Sequence, residues 1–367
     1  AVCRIIHQEG LGLDVVSGGE LFTAHRSGFP MGKVYFHGNS KTLDEMRMAL
    51  ELGVGTIVVD SFQELLLLAG MSRKRKDPLK ILLRLSPGVD VNTHKYISTG
   101  HLGSKFGFPL SGQDLRDAVS FAIDHPQLDL RGFHFHLGSM LFDKLPYLMA
   151  VNIVMDKMRE FSEEIGMVTS ELNVGGGFGV PLLPDGSQVR IEDFTDPIMA
   201  RIRDGVSARG LKMPEVVIEP GRWIVSEAGI TLYTVGVIKK IPGYLTYASV
   251  DGGMADNPRP ALYGARYQAV AANKYDREPI ETVTLAGKCC ESGDVLIRDL
   301  HVPELEPGDI IAVLNTGGYN FSMASNYNRN PRPGMVLLVG KKAFEVVTRQ
   351  TYEDLVRGEV IPEHLKS

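Results

Sequence analysis

The chain has 367 residues, of which 44% are hydrophobic and 23% are charged, so it can bury a sizeable core. Its net charge of −5 argues against a nucleic-acid or anionic-membrane partner, because either would normally require a basic face. No apolar run approaches the roughly 18 residues of a membrane span, and charged residues near the start argue against a signal peptide. Only three cysteines occur, too few for a disulfide framework, so a reducing cytoplasm is predicted.

The first 228 residues repeat a unit in which a short apolar run is followed by a polar residue and then by a helical pattern. Seven such runs predict strands buried on both faces: 13–16, 34–37, 56–60, 81–85, 130–136, 171–174 and 216–219. Helical patterns follow most of them: 42–52, 61–69, 111–125, 146–165 and 195–209. This alternation predicts a parallel sheet, and its spacing is typical of a (β/α)8 TIM-like barrel. Because the chain opens in a helical pattern at 1–10, we expect the first of the eight strands to be missing from it.

The pattern changes after residue 228, where helical periodicity becomes scarce. Strand patterns separated by turn residues occupy that part of the chain: 230–241, 248–251, 281–286, 310–314, 335–340 and 344–348. We therefore predict an α/β barrel domain at residues 1–228 and a second, mostly β domain at residues 229–367.

Catalytic groups of a parallel barrel lie at the carboxyl ends of its strands, and this sequence places polar residues and glycines there. They combine carboxylates, imidazoles and anion-binding groups: Asp14, His37, Asp60, Arg84, His134, His136, Gly175, Gly176, Gly177, Glu219 and Arg222. Such a combination is not typical of a packing face, so the predicted site lies at these strand ends.

Three of these segments each allow two interpretations. The glycines at 175–177 follow a strand and could present N–H groups to a phosphate, or could form a flexible turn. Glu219 could hold a proton on a ring nitrogen while Arg222 binds an anion, or the two could form a structural ion pair. His134 and His136 could share a metal ion, or could be one core histidine and one ligand contact; the ligand count predicts no metal.

The second domain carries further polar segments. Cys289 and Cys290 precede Glu291, and a thiol there could donate a proton or could be a small buried side chain. The polar, glycine-rich stretch 315–328 is either a loop or the wall of a site. Each of these segments carries little information alone, so their order along the chain matters more.

In this order, the motifs resemble those of the diaminopimelate decarboxylases, pyridoxal-phosphate enzymes with an alanine-racemase-like barrel and a C-terminal β domain. The resemblance covers nearly the whole chain and rests on these segments: DVVSGGEL (14–21), FHGNSKT (36–42), THKYISTG (93–100), SKFG (104–107), HFHLGS (134–139), GGGFG (175–179), EPGR (219–222), VDGGM (250–254), RPALY (259–263), CESGD (290–294) and TGGYNFSMASNYN (316–328). THKYISTG and CESGD favour this family over the ornithine and arginine decarboxylases.

The resemblance implies that pyridoxal 5'-phosphate is the cofactor, and it assigns residues to that cofactor by position. His136 is implied to stack on the pyridine ring, and Glu219 to keep the ring nitrogen protonated so that the ring accepts electrons. The residues implied in cofactor binding are Ser139, Gly175, Gly176, Gly177, Glu219, Gly221, Arg222 and Tyr319.

The resemblance also implies a substrate with two amino-acid ends, meso-2,6-diaminopimelate, which is decarboxylated to L-lysine in the last step of lysine biosynthesis. The residues implied in substrate binding are Arg222, Arg259, Tyr263, Glu291 and Tyr319. Arg259 suits the far carboxylate and Glu291 the far ammonium group. Cys290 is implied to be the acid that returns a proton to carbon. In this family it comes from the partner subunit, so a homodimer with active sites at the interface is expected.

Three departures from the family pattern bear on these expectations. The family's Schiff-base lysine lies on the first barrel strand, and no lysine of this chain matches it, so we expect weak cofactor binding and no turnover without that residue. Met140 stands where the family usually has Gln, and Trp223 stands where it usually has a small residue.

The leading prediction is therefore decarboxylation of diaminopimelate by the intact protein. One alternative is a related pyridoxal-phosphate decarboxylase that acts on another basic amino acid. A second is a non-catalytic homologue that lacks the Schiff-base lysine. A third is a metallohydrolase barrel with a metal ion between His134 and His136.

Overall fold

The computed structural model describes residues 1–89, 104–180 and 189–366, so the THKYISTG motif lies outside the described residues. The chain forms two compact units. We call the first, Ala1–Gly179 together with Val189–Pro220, the barrel unit. The second consists mainly of Gly221–Ser367, and we call it the β unit. The domain boundary predicted after residue 228 stays a prediction.

The barrel unit alternates strands with helices. Its strands are β1 Leu13–Val15, β2 Val34–Phe36, β3 Thr56–Val59, β4 Leu79–Ser86, β5 Phe108–Pro109, β6 Leu128–Phe135, β7 Glu171–Gly176 and β8 Glu215–Glu219. Its α-helices are α1 Val2–Gln8, α2 Gly18–Arg26, α3 Leu43–Leu52, α4 Phe62–Ser72, α5 Gln113–Asp124, α6 Leu145–Ile165 and α7 Glu192–Ala208, and a short 3-10 helix spans Met31–Lys33.

The strands of the barrel unit form one parallel sheet in the order β1-β2-β3-β4-β6-β7-β8, with the short β5 paired to β4. The predicted parallel barrel is thus confirmed as a nearly closed barrel of seven main strands. Each predicted strand is present. A continuous apolar run is the pattern expected of a parallel strand whose two faces are both buried. In β3 all four residues, Thr56–Val59, are buried.

A repeated capping pattern fixes the first three strand-to-helix turns. A Ser or Thr caps each helix by accepting an N–H from the third residue on, and that residue is Glu in every case. The pairs are Ser17 with Glu20, Thr42 with Glu45, and Ser61 with Glu64. Each Glu side chain in turn accepts a backbone N–H from the end of the preceding turn. These turns therefore hold the carboxyl ends of β1, β2 and β3 in fixed positions.

The longest helix of the described residues is α6, and it covers the sheet with one face. Its buried residues recur at intervals of three and four: Pro146, Tyr147, Ala150, Val151, Val154, Met155, Met158 and Phe161. Gly166 ends the helix in the left-handed conformation, with φ 68°. Among the described residues, no helix combines the length and apolar character needed to cross a membrane.

The β unit consists mainly of strands, as predicted. They are β9 Thr231–Ile241, β10 Leu245–Val250, β11 Ala269–Ala271, β12 Glu281–Ala286, β13 Val295–Val302, β14 Ile310–Val313, β15 Met335–Val339 and β16 Lys342–Val347. Its short α-helices are α8 Gly221–Val225, α9 Arg259–Tyr263 and α10 Tyr352–Val356, with 3-10 helices at Ala272–Lys274, Phe321–Met323, Tyr327–Arg329 and Glu363–Leu365.

Six strands of the β unit form a mixed sheet in the order β11-β14-β9-β10-β12-β13, in which only β10 and β12 pair in parallel. β15 and β16 form a separate antiparallel hairpin. Alternate residues of the sheet build one apolar core, including Tyr233, Val250 and Leu285. This mixed sheet after a barrel confirms the predicted architecture.

The elements that were not predicted include α2, β11, β13 and the short helices α8, α9 and α10. The helix α2 begins with two glycines, whose low helix propensity hides its pattern. In β13 charged residues interrupt the alternation, and Asp299 has a positive φ of 52°. β11 has only three residues and depends on its partner β14, so local sequence does not reveal it.

Candidate active site

The centre of the barrel unit's site is Glu219, the last residue of β8. Its Oε1 accepts a hydrogen bond from Asn173 Nδ2 at 2.8 Å. The Nε2 atoms of His134 and His37 lie 3.2 and 3.3 Å from the same oxygen. These neighbours come from β7, from β6 and from the turn after β2, so the parallel sheet brings them together at its carboxyl edge.

The surroundings of Glu219 keep its carboxyl group ionised. Burial by itself would raise the pKa of this group, but the neighbouring imidazoles of His134 and His37 outweigh burial and hold the pKa well below its usual value. Burial lowers the pKa of His134 to about 4, because a charged imidazole would lose its hydration there. At neutral pH the group is therefore a carboxylate beside a neutral imidazole.

His136 lies just beyond the end of β6 and contacts the glycine turn after β7. The N–H of Gly176 donates to His136 Nδ1 at 3.3 Å, and the N–H of Gly175 donates to Asn173 Oδ1 at 2.9 Å. These two amides are thus engaged within the protein. Neither bond involves the N–H of Gly177, the third glycine predicted to bind phosphate.

The HLGS and GGGFG segments meet in the barrel unit. Leu141 N donates to Gly177 O at 2.9 Å, and Gly179 N donates to Leu141 O at 2.7 Å. A Cβ on Gly177 would overlap with the carbonyl oxygen of Gly138, the residue before Ser139. The two backbones therefore approach so closely that only glycine fits, as a backbone cradle for an anion requires.

Next to this edge lies a buried ion pair that links the turn after β2 to β3 and α4. Lys41 Nζ donates to Glu64 Oε1 at 2.6 Å and to the carbonyl oxygens of Gly38 and Val58. All the donors of this ammonium group are engaged, and burial lowers its pKa. Lys41 is thus a structural residue, which agrees with leaving it unassigned as a Schiff-base lysine.

The β unit gathers a second group of the predicted residues. The Arg222 guanidinium lies 4.3 Å from the ring centre of Tyr319, and that of Arg259 lies 5.7 Å from the same ring. Arg259 also lies 5.5 Å from the ring of Tyr263. Tyr319 adopts a positive φ of 65°, which is strained for a bulky residue and often marks a functional position.

Arg259 is buried, with 7% of its surface exposed, and hydrogen bonds hold its side chain in place. Its Nε donates to the hydroxyl of Tyr267 at 2.9 Å, and that hydroxyl donates to Asn320 Oδ1 at 3.4 Å. Tyr267 and Asn320 are likewise buried. The sequence analysis did not predict that Tyr267 and Asn320 support Arg259. Only Asn320 lies in a recognised motif, TGGYNF, which could have indicated a role.

The CESGD segment forms a tight turn around Asp294. This buried carboxylate accepts N–H groups from Met254 at 2.7 Å and from Cys289 at 2.8 Å. The N–H of Cys290, whose side chain is exposed, donates to Asn328 Oδ1 at 2.9 Å. Gly293 N donates to Glu291 Oε1 at 3.3 Å. The VDGGM, CESGD and TGGYNFSMASNYN motifs therefore meet around Cys290.

The structure separates the two histidines that the metal alternative pairs. His134 and His136 do not share a site, because His134 turns inward to Glu219 while His136 lies at the solvent-accessible strand end. Among the described residues, the only group with metal-ligand spacing is His37, His134 and Glu219, with ligand atoms within 4.8 Å of one another. A two-residue spacing places side chains on one face only while the strand continues, and β6 ends at Phe135.

Comparison with known proteins decides the family. The model of the pyridoxal binding domain of pyridoxal-dependent decarboxylases matches residues 1–226. The diaminopimelate decarboxylase of Bacillus subtilis (strain 168) is 45% identical over 357 residues, which cover 97% of this chain and 81% of that protein. The chain belongs to the diaminopimelate decarboxylase family. Pyridoxal 5'-phosphate is accordingly its cofactor.

Solved structures agree with membership of this decarboxylase family. The diaminopimelate decarboxylase from M. jannaschii in co-complex with L-lysine has a TM-score of 0.92 and 35% identity, and the match covers 99% of this chain and 82% of that one. A lysine/ornithine decarboxylase from Vibrio vulnificus, complexed with cadaverine, matches with a TM-score of 0.72 and 24% identity over 89% of this chain and 81% of that one. The second match shows the shared fold alone.

Proposed function

We propose that this decarboxylase family member converts meso-2,6-diaminopimelate to L-lysine and CO2. The observation that carries the proposal is Glu219, a buried carboxylate kept ionised at the carboxyl end of β8. A pyridine nitrogen keeps its proton beside such a group. When bound, pyridoxal phosphate supplies an electron sink for the carbanion left by loss of CO2.

The barrel unit's residues suit this cofactor at both of its polar ends. Glu219 would hold the ring nitrogen, and His136 would lie against the ring. Ser139 and the backbone of Gly177 would bind the phosphate, with Gly175, Gly176, Gly221, Arg222 and Tyr319 completing the proposed cofactor-binding set. The close approach of Gly177 to Gly138 supports this assignment. The N–H bonds of Gly175 and Gly176 give these two a shaping role.

The β unit's residues suit a substrate with an extra carboxylate. Arg259 is a buried cation whose Nε is fixed by Tyr267, which leaves the terminal N–H groups to bind a carboxylate in a fixed direction. Arg222, Tyr263, Tyr319 and Glu291 complete the proposed substrate set. A decarboxylase of lysine or ornithine would have no second carboxylate for Arg259, so this buried arginine favours diaminopimelate.

Cys290 is proposed as the acid of the reaction. The bond between the α-carbon and its carboxyl group breaks, CO2 leaves, and the electron pair stays on the carbon. The Cys290 thiol then gives its proton to that carbon and is restored from solvent. Cys290 is exposed in the single chain, which supports the proposal that it serves the site of a partner subunit in a homodimer.

The experiment compares CO2 release by the full-length protein from diaminopimelate, lysine and ornithine, with L-lysine measured as a product. We expect turnover of diaminopimelate to exceed that of the other two by at least about a hundredfold, since a buried arginine left without its carboxylate is costly. Faster turnover of ornithine would refute the assignment. The three free cysteines of the described residues support action in a reducing compartment, the cytoplasm.

A further inference from the structure

We propose that His37 and His134 are positioning residues that hold Glu219 in its ionised form and in a single orientation. The inference rests on the proposed function, because it concerns the carboxylate that faces the cofactor's ring nitrogen. Neither histidine was assigned a role by the family motifs. Both act through Glu219 and need not touch cofactor or substrate.

The geometry places both imidazoles on one oxygen of the carboxylate. His134 Nε2 and His37 Nε2 lie 3.2 and 3.3 Å from Glu219 Oε1, which also accepts the hydrogen bond from Asn173 Nδ2. None of these three contacts involves Oε2. The second oxygen therefore stays available for a proton donor such as a ring nitrogen.

Both histidines are buried, so the acceptors near their Nε2 atoms matter. His37 is 5% exposed and His134 is 1% exposed. Within the described residues, neither Nε2 atom has a well-aligned hydrogen-bond partner. A buried N–H with no acceptor is costly, so Glu219 Oε1 is the group to which each imidazole can donate after a small adjustment.

The two rings also support each other. Their centres lie 4.9 Å apart at an angle of 68°, an edge-to-face contact that fixes both orientations. Asp14 Oδ1 lies 3.7 Å from His37 Nε2 and is 40% exposed, so it is a weaker competitor for that nitrogen. The arrangement links Glu219 on β8 to β6 and to the turn after β2, and it therefore ties Glu219 to two other strands.

The test uses pyridoxamine 5'-phosphate as the probe, because this amine form needs no Schiff-base lysine to bind. Its near-ultraviolet absorbance reports whether the ring nitrogen carries a proton. The variants His37→Leu and His134→Leu remove the donor, whereas His37→Gln and His134→Gln keep an N–H donor at a similar reach. Glu219→Gln sets the size of the full effect, and His125→Leu is the matched control, a barrel-unit histidine that packs on Phe121.

We expect each Leu variant to weaken pyridoxamine phosphate binding at least about tenfold and to move loss of the ring proton to lower pH, because Glu219 is then held less well. The Gln variants should recover most of both properties, and His125→Leu should change neither. Wild-type spectra in both Leu variants would overturn the proposal. A second result would also overturn it: the Leu and Gln variants lose pyridoxamine phosphate binding equally, and calorimetry shows tight Zn²⁺ binding to the wild type. His37, His134 and Glu219 would then form a metal site.

Failure of the inference and failure of the proposed function give different results. If the full-length protein releases CO2 from diaminopimelate while the Leu variants keep wild-type spectra, the function stands and the positioning role is wrong. If the spectra shift as expected but no CO2 is released from diaminopimelate, the positioning role stands and the reaction is misassigned.

Discussion

At the scale of single residues, burial decides which side chains carry charge. Glu219 and His134 lie side by side in the barrel unit, and both have a pKa below its usual value. The effect on their charge is opposite. A lowered pKa favours the charged form of a carboxyl group and the neutral form of an imidazole. The pair therefore holds one negative charge over a wide range of pH.

This pairing makes the stability of the barrel unit depend on pH through His134. Above pH 6.5 the imidazole is neutral in both folded and unfolded chains, so it contributes no slope. Between pH 6.5 and about 4 only the unfolded chain takes up the proton, so the free energy of unfolding falls as the pH is lowered. The loss should reach at most about 3 kcal/mol.

Urea unfolding at a series of pH values measures this loss. The variant His134→Gln should show a shallower fall in the unfolding midpoint between pH 6.5 and 4 than the wild type. His25→Gln, an exposed histidine of α2, should keep the full fall. An equal pH dependence in all three proteins would show that His134 does not cause it.

A second prediction at this scale concerns Cys289. Burial, followed by the charge of Asp294, raises the pKa of its thiol to about 11. The variant Asp294→Asn removes the charge, so the pKa should fall and the thiolate fraction at pH 8 should rise. Rates of iodoacetamide modification, read by mass spectrometry with Cys3 as the internal reference, should increase severalfold at Cys289. An unchanged ratio of the two rates would show that Asp294 does not control this thiol.

At the scale of elements, the strands and helices of the barrel unit could be predicted because each carries its own periodicity and capping residues. Glu219 could also be predicted, since it ends a recognisable strand. Its partners could not, because the meeting of His37, His134 and Asn173 depends on the order of the strands in the sheet. The same holds for Tyr267, which supports Arg259 from outside any motif.

Close contact between elements explains why Gly176 is glycine. A Cβ at this position would overlap with the carbonyl oxygen of Glu219 on the neighbouring strand. Gly176→Ala should therefore lower the free energy of unfolding by roughly 3 kcal/mol or more, because the backbone cannot move away cheaply. Gly70→Ala is the matched control, since Gly70 lies inside α4 with open space around it. It should raise stability by about 0.5 to 1 kcal/mol. Thermal or urea unfolding that ranked the two variants alike would contradict this packing argument.

At the scale of the whole molecule, our proposal places residues of two chains in each active site. Arg222 and Tyr319 lie together in one chain, whereas the thiol proposed to return the proton is exposed at Cys290. If each active site takes its Cys290 from the partner, a homodimer has two sites, each built from both subunits. Inactive variants of different halves of the site should then complement each other.

Mixing full-length Cys290→Ala with full-length Arg222→Ala tests this arrangement. Each variant alone should have little decarboxylase activity. Random exchange of subunits makes half of the dimers mixed, and each mixed dimer has one intact site, so about a quarter of wild-type activity should return. Activity should rise at the rate of subunit exchange, and a mixture of Cys290→Ala with itself is the control. If no activity returns although mass spectrometry detects mixed dimers, each site takes Cys290 and Arg222 from the same chain. The exposed thiol must then reach its substrate within one subunit.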